Sequence, residues 1–169
     1  MTITLYAQPY DLAATGFYFG DYDTYKEKVA KLLNDYGDPV EEFEIQFIDG
    51  KAVDYEFSKA WGINQANIKS YFDAVNDWED WQKIPFIIAV GECGYSFDPE
   101  TVCPDDFEVD IYDVASMREL AEQFVDEGLF GEIPEHLEFY IDYDAIARDL
   151  AMDYSETTLA GERYIYRCS

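Results

Sequence analysis

Carboxylates are the only side chains in this chain whose number and spacing point to one kind of chemistry. Thirty-seven Asp and Glu stand against 11 Lys and Arg, a formal net charge of −26. Glu119, Glu122, Asp126 and Glu127 recur at i, i+3, i+7 and i+8, the spacing that gathers side chains on one face of a helix. Glu135, Glu138 and Asp142 continue the theme, and Asp77, Asp80, Asp105 and Asp106 repeat it in the middle of the chain. On a helix such groups are spaced ~5–6 Å along the axis. Phosphates on one DNA strand follow at a comparable ~3.4 Å. Rows of this kind offer a basic protein fixed anions of the sort its Arg and Lys meet on a duplex backbone. A solvated helix face explains any single row equally well, so the functional reading needs the rows to be aligned.

Other chemistries fit poorly. His136 is the only histidine, which excludes HExxH and nearly every zinc constellation. Asp105, Asp106, Glu108 and Asp110 cluster, but no window matches an EF-hand loop, so no dedicated metal site and no cofactor is expected. There is no Walker A, GxSxG or strand-borne GxGxxG sequence. With 37 carboxylates, accidental acid pairs are unavoidable and say nothing about glycoside chemistry. The expectation is a protein that is not an enzyme. Binding of nucleic acid or of an anionic membrane is opposed by repulsion.

Cys93, Cys103 and Cys168 form no CxxC pair and read as small buried hydrophobes. The opening MTITLYAQPYD has no basic region followed by an apolar run, so no signal peptide is expected. The apolar run Pro85 to Val90 is too short to span a bilayer; a cytoplasmic location is the reading.

The charge is spread rather than confined to a tail: 12 acids and 5 bases in residues 1–60, 12 and 2 in 61–113, 13 and 4 in 114–169. The folded surface itself must therefore be acidic. A compact chain of this length spans roughly 40 Å, over which a duplex carries about 24 charges. An acidic surface adapted to high salt is the competing explanation. Crowded like charges are expected to raise carboxylate pKa values.

The elements that must carry these groups indicate an α+β fold. Ile3 to Ala7 and Gly16 to Gly20 read as strands, and Asp21 or Asp23 caps a helix running toward Gly37. Phe43 to Phe47 and Val53 to Phe57 both alternate, with Asp49-Gly50 as the turn of a hairpin. Residues 64–82 read as one helix with Ile68, Tyr71, Phe72, Val75 and Trp78 inside, and Trp61, Trp78 and Trp81 as core. Ile84-Pro85 begins a further apolar segment, and Pro104 to Asp113 a turn leading into a short strand. Asp113 caps a helix over Val114 to Glu127, and Thr158 to Cys168 closes as a hairpin turned at Ala160-Gly161. The expected division is a small N-terminal sheet-and-helix lobe (1–60), a mainly helical acidic lobe (61–113) and a C-terminal α+β lobe (114–169).

The stretch from Leu129 to Leu150, LFGEIPEHLEFYIDYDAIARDL, reads as two short tandem helices. Ile133-Pro134 opens the first, whose apolar stripe is Leu137, Tyr140 and Ile141; Tyr143, Ile146, Ala147 and Leu150 form the second. Ile133-Pro134, Leu137, Tyr140-Ile141-Asp142-Tyr143 and Arg148-Asp149-Leu150 resemble the antirestriction motif of the ArdA proteins carried by plasmids, conjugative transposons and phages. A weaker likeness runs through the preceding helix and Gly16 to Asp23. The resemblance implies an elongated homodimer that mimics duplex DNA and fills the DNA-binding cleft of type I restriction-modification enzymes, with the motif near the dimer contact. Asp77, Asp80, Asp105, Asp106, Glu119, Glu122, Asp126, Glu135, Glu138 and Asp142 are then the candidate partner-binding acids. Arg148 is expected either to bridge a carboxylate or to stand exposed. Two rival classes stay open: an acidic sequestering factor or chaperone for another basic DNA-binding protein, and a metal-dependent enzyme.

Overall fold

Alternation decides the first sheet. In the computed structural model, which describes residues 2–169, Leu5, Ala7 and Pro9 point inward along β1 (Thr4–Pro9). Phe43 and Ile45 do the same along β3 (Phe43–Asp49), the period-two pattern of a half-buried strand. β1 lies between β2 (Phe17–Phe19) and β3, antiparallel to both. Gly16 is required before β2, because a Cβ there would fall 2.3 Å from the Ala7 carbonyl oxygen. Asp21 caps α1 (Tyr22–Lys31), its carboxylate accepting the Thr24 N–H at 2.7 Å. The helix stops at Lys31 rather than near Gly37.

The second expected strand is a helix. Val53 to Phe57 lies in α2 (Ala52–Trp61), whose buried positions Val53, Asp54, Phe57, Ser58 and Trp61 follow a 3.6-residue period. Five alternating residues satisfy both periods, and only Trp61, a turn further on, distinguishes them. The helix expected over 64–82 is broken into α3 (Ile68–Asp77) and α4 (Asp80–Phe86). Glu79 begins the second piece, donating its N–H to the Gln82 side chain at 2.8 Å. A π-helical segment, Ile87–Glu92, continues from α4. Phe57, Trp61, Trp78 and Phe86 meet with ring centroids 5.0–5.7 Å apart along most edges of the cluster. Trp81 does not join them: it is 71% exposed.

In the C-terminal part, β4 (Asp110–Tyr112), β6 (Glu162–Arg167) and β5 (Ser155–Leu159) form a second antiparallel sheet in that order. The β5–β6 turn falls at Ala160-Gly161, both with positive φ (52° and 84°), as a tight hairpin demands. α5 is Met117–Asp126, capped by Ser116, not Asp113. It packs on α6 (Tyr143–Leu150) over a core of Leu120, Phe124, Tyr154 and Ile165.

Contacts divide the chain into two compact units, Met1–Phe107 and Glu108–Ser169. The first carries 21 acids and 7 bases, the second 16 and 4. α2 packs on α3 and α4 within the first unit. Cys103 is exposed, not a buried hydrophobe. Among the described residues no helix is long and apolar enough to cross a membrane.

Candidate acidic interface

Each candidate carboxylate can be placed by what holds it. In the C-terminal unit, Glu119, Glu122 and Asp126 stand on α5 at i, i+3 and i+7, about 4.5 and 6 Å apart along the axis. Glu119 is engaged: its carboxylate accepts the Ala115 N–H at 2.6 Å, while its own N–H donates to Ser116 Oγ at 3.2 Å. Glu122 pairs with Arg118 at 3.2 Å, and the same guanidinium reaches Asp144 of α6 at 2.8 Å. These two carboxylates, Asp144 first, hold the Arg118 pKa above its ordinary value. Asp142 caps α6 through the Ala145 N–H at 3.0 Å. Asp126, Glu135 and Glu138 are exposed and have no partner among the described residues.

The motif divides into two parts. Tyr143, Ile146, Ala147 and Leu150 are half-buried on α6, and Leu150 packs on the core. The expected first helix is instead a 3-10 segment, Glu135–Tyr140, preceded by Pro134 and burying none of its residues. Its tighter winding, ~3 residues per turn with ~2 Å rise, eclipses Glu135 and Glu138 and turns Leu137, Phe139 and Tyr140 outward, Tyr140 being 82% exposed. Ile133 and Ile141 are half-buried. Arg148 and Asp149 are exposed. No bridge from Arg148 forms among the described residues; the inter-helix bridge belongs to Arg118.

In the N-terminal unit, Asp77 lies on α3 beside a shallow cleft that Asp73 and Glu100 also line. Lys69 neutralises Asp73 at 2.8 Å, while Asp77 has no partner among the described residues. Asp105 is likewise exposed and unpartnered, whereas Asp106 accepts the Cys103 N–H at 2.7 Å. Asp80 has Lys51 at 3.2 Å and Lys83 at 3.5 Å. Partial burial works to raise its pKa, but the two lysines outweigh this and the carboxyl sits below its usual range. The upward shift expected from crowding is therefore reversed at Asp80.

Lys83 also reveals what spacing alone conceals. It is 2% exposed and its Nζ lies 2.6 Å from Asp54 Oδ1 on α2, itself buried. The buried Tyr71 hydroxyl donates to the Asp54 backbone carbonyl at 2.9 Å, and burial pushes that phenol upward. Lys51, Asp54, Asp80 and Lys83 thus form one chain of alternating charge beside a cleft of about 430 Å³. Asp54 and Lys83 are 29 positions apart, and no motif joins them. Among the described residues no cluster of His, Cys, Asp and Glu has metal-binding geometry.

No curated protein sequence matches this chain. A family model does: that of the antirestriction protein ArdA, over residues 16–163. The match takes in both expected regions of likeness, Gly16 to Asp23 and Leu129 to Leu150, and covers most of the 169 residues. The chain belongs to the ArdA antirestriction protein family.

Proposed function

We propose that this protein blocks restriction by occupying the DNA-binding cleft of a type I restriction-modification enzyme, its carboxylates standing in for phosphates, with no chemical step. The observation that carries this reading is that five of the candidate carboxylates, Asp77, Asp105, Asp126, Glu135 and Glu138, are exposed and have no counter-charge among the described residues. Ordinary surface acids gain little from pairing, so their lack of partners alone is unremarkable. Their presence in both units of an antirestriction-family chain, with Glu135 and Glu138 one turn apart, is what a basic cleft would read. Long-range attraction makes association fast and salt-sensitive.

The test is protection of unmodified phage or plasmid DNA in cells with an active type I system, paired with competition against DNA for the purified enzyme. Protection with mutually exclusive binding is expected. Binding to some other basic protein without protection would support a sequestering factor instead. Activity lost with a chelator would support a metal-dependent enzyme.

The same reading places a homodimer contact at the outward apolar part of the motif. Leu137, Phe139 and Tyr140 leave apolar surface in water, and covering it is favourable at about 25 cal/mol per Å². Tyr140→Ala with Ile141→Ala should therefore yield monomers in analytical ultracentrifugation. A dimer of unchanged affinity rejects the assignment.

A further inference from the structure

At one end of the first sheet two loops are tied together and present apolar groups that the fold does not need. One follows β1 (residues 10–16) and the other joins α1 to β3 (residues 32–42). The Tyr10 N–H donates to the Glu42 carbonyl at 3.1 Å, and the Asp35 N–H to the Ala13 carbonyl at 2.8 Å. Asn34 is the hub. Its Nδ2 donates to Asp11 at 3.0 Å, and its Oδ1 accepts the N–H groups of both Tyr36 and Asp38 at 2.9 Å. Asp11 accepts the Ala13 N–H at 2.8 Å in turn. Leu33 and Pro39 are bridged across the second loop.

The hydrogen bonding is inward and the apolar side chains are outward. Leu12 is fully exposed, Tyr36 is 82% exposed, and Tyr10 and Leu33 are more than half exposed. A loop pair fixed this closely does not expose them through mobility; the arrangement is preorganised, which lowers the entropic cost of binding. Tyrosine anchors on a rigid support are the residue type that dominates protein contacts.

The rim names the partner's chemistry. Asp35, Asp38, Glu41 and Glu42 are exposed and have no ion pair among the described residues. No Lys or Arg occurs in residues 1–25 or 32–50. A second copy of this chain would bring like charge to the same place, so self-association is disfavoured here. We infer that the paired loops are a second protein-contact surface, an apolar anchor ringed by acids, that seats on a basic protein surface with an apolar recess. Resting on the function proposed above, that basic surface belongs to the restriction enzyme itself.

The test is a Tyr10→Ser, Leu12→Ser, Tyr36→Ser variant measured against a purified type I enzyme over a range of salt. All three side chains are exposed, so an unchanged melting curve is expected. Affinity should fall at least about tenfold, while the dependence of affinity on salt keeps the wild-type slope, because no charge is removed. Wild-type affinity in the variant overturns this inference and leaves the proposed function standing. Wild-type protein that does not bind the enzyme overturns both. A variant that changes oligomeric state assigns the surface to self-contact and overturns the inference.

Discussion

Lys83→Met should destabilise the N-terminal unit by about 3–5 kcal/mol, the cost of stranding one member of a buried ion pair. Asp54 is 4% exposed, and its hydrogen-bonded partner at 2.6 Å is the Lys83 ammonium. Methionine fills much of the lysine stem's volume, so the loss is one of charge rather than of packing. A few kcal/mol is a large share of the stability of a domain this size. The pair is not symmetric: without Asp54, Lys83 still has Asp80 at 3.5 Å, so Asp54→Leu should cost clearly less than Lys83→Met. The double variant should recover most of the loss, because removing both charges also removes both desolvation penalties. All three tryptophans lie within residues 1–107, so their fluorescence in urea reports this unit alone. A midpoint within error of wild type for Lys83→Met would show that Asp54 is solvated after all.

The pair also shows what the sequence conceals. Periodicity finds elements where burial follows one clear period, and it served well for β1, the start of α1, α5, α6 and the final hairpin. It failed at Val53 to Phe57, where five residues fit strand and helix alike and the Asp49-Gly50 turn signal favoured the strand. What makes α2 a helix is tertiary: Phe57 and Trp61 close the aromatic cluster with Trp78 and Phe86. That same misreading hid Asp54. In a strand it would have been one of many outward acids; on α2 it faces inward against α4. The break at Trp78-Glu79 was hidden because Glu79 is an ordinary surface acid until its N–H is bonded to Gln82.

For the candidate site, residue type and spacing located the acids but could not distinguish free ones from occupied ones. Glu119, Asp142 and Asp106 hold backbone N–H groups, while Glu122 and Asp80 hold cations. Such roles depend on neighbours brought close by folding. Arg148 and Arg118 illustrate the same limit. Both precede an acid in sequence, but Arg148 stands exposed on α6, whereas Arg118 reaches from α5 across to Asp144 on α6 and forms the inter-helix bridge.

The distinction between free and occupied acids sets the second large effect. Replacing Asp77 and Asp126 with Asn, Asp105 with Asn, and Glu135 and Glu138 with Gln removes five negative charges and breaks no intramolecular bond among the described residues. Exposed ion pairs are worth about 0.2–1 kcal/mol each. Five lost together come to about 3 kcal/mol, on the order of a hundredfold in affinity for the restriction enzyme. Any one replacement alone should weaken binding less than about fivefold. The melting temperature should hold or rise slightly, since self-repulsion is relieved. Affinity should also depend less steeply on salt, because fewer charges remain to be screened. Glu119→Gln is the contrasting control: it removes one charge and weakens the bond to the Ala115 N–H, so its effect should appear in stability as well as in binding. If the fivefold-neutralised protein competes with DNA as well as the wild type does, charge on these five residues is not what the enzyme reads. The contact must then rest on apolar groups such as those of the paired loops.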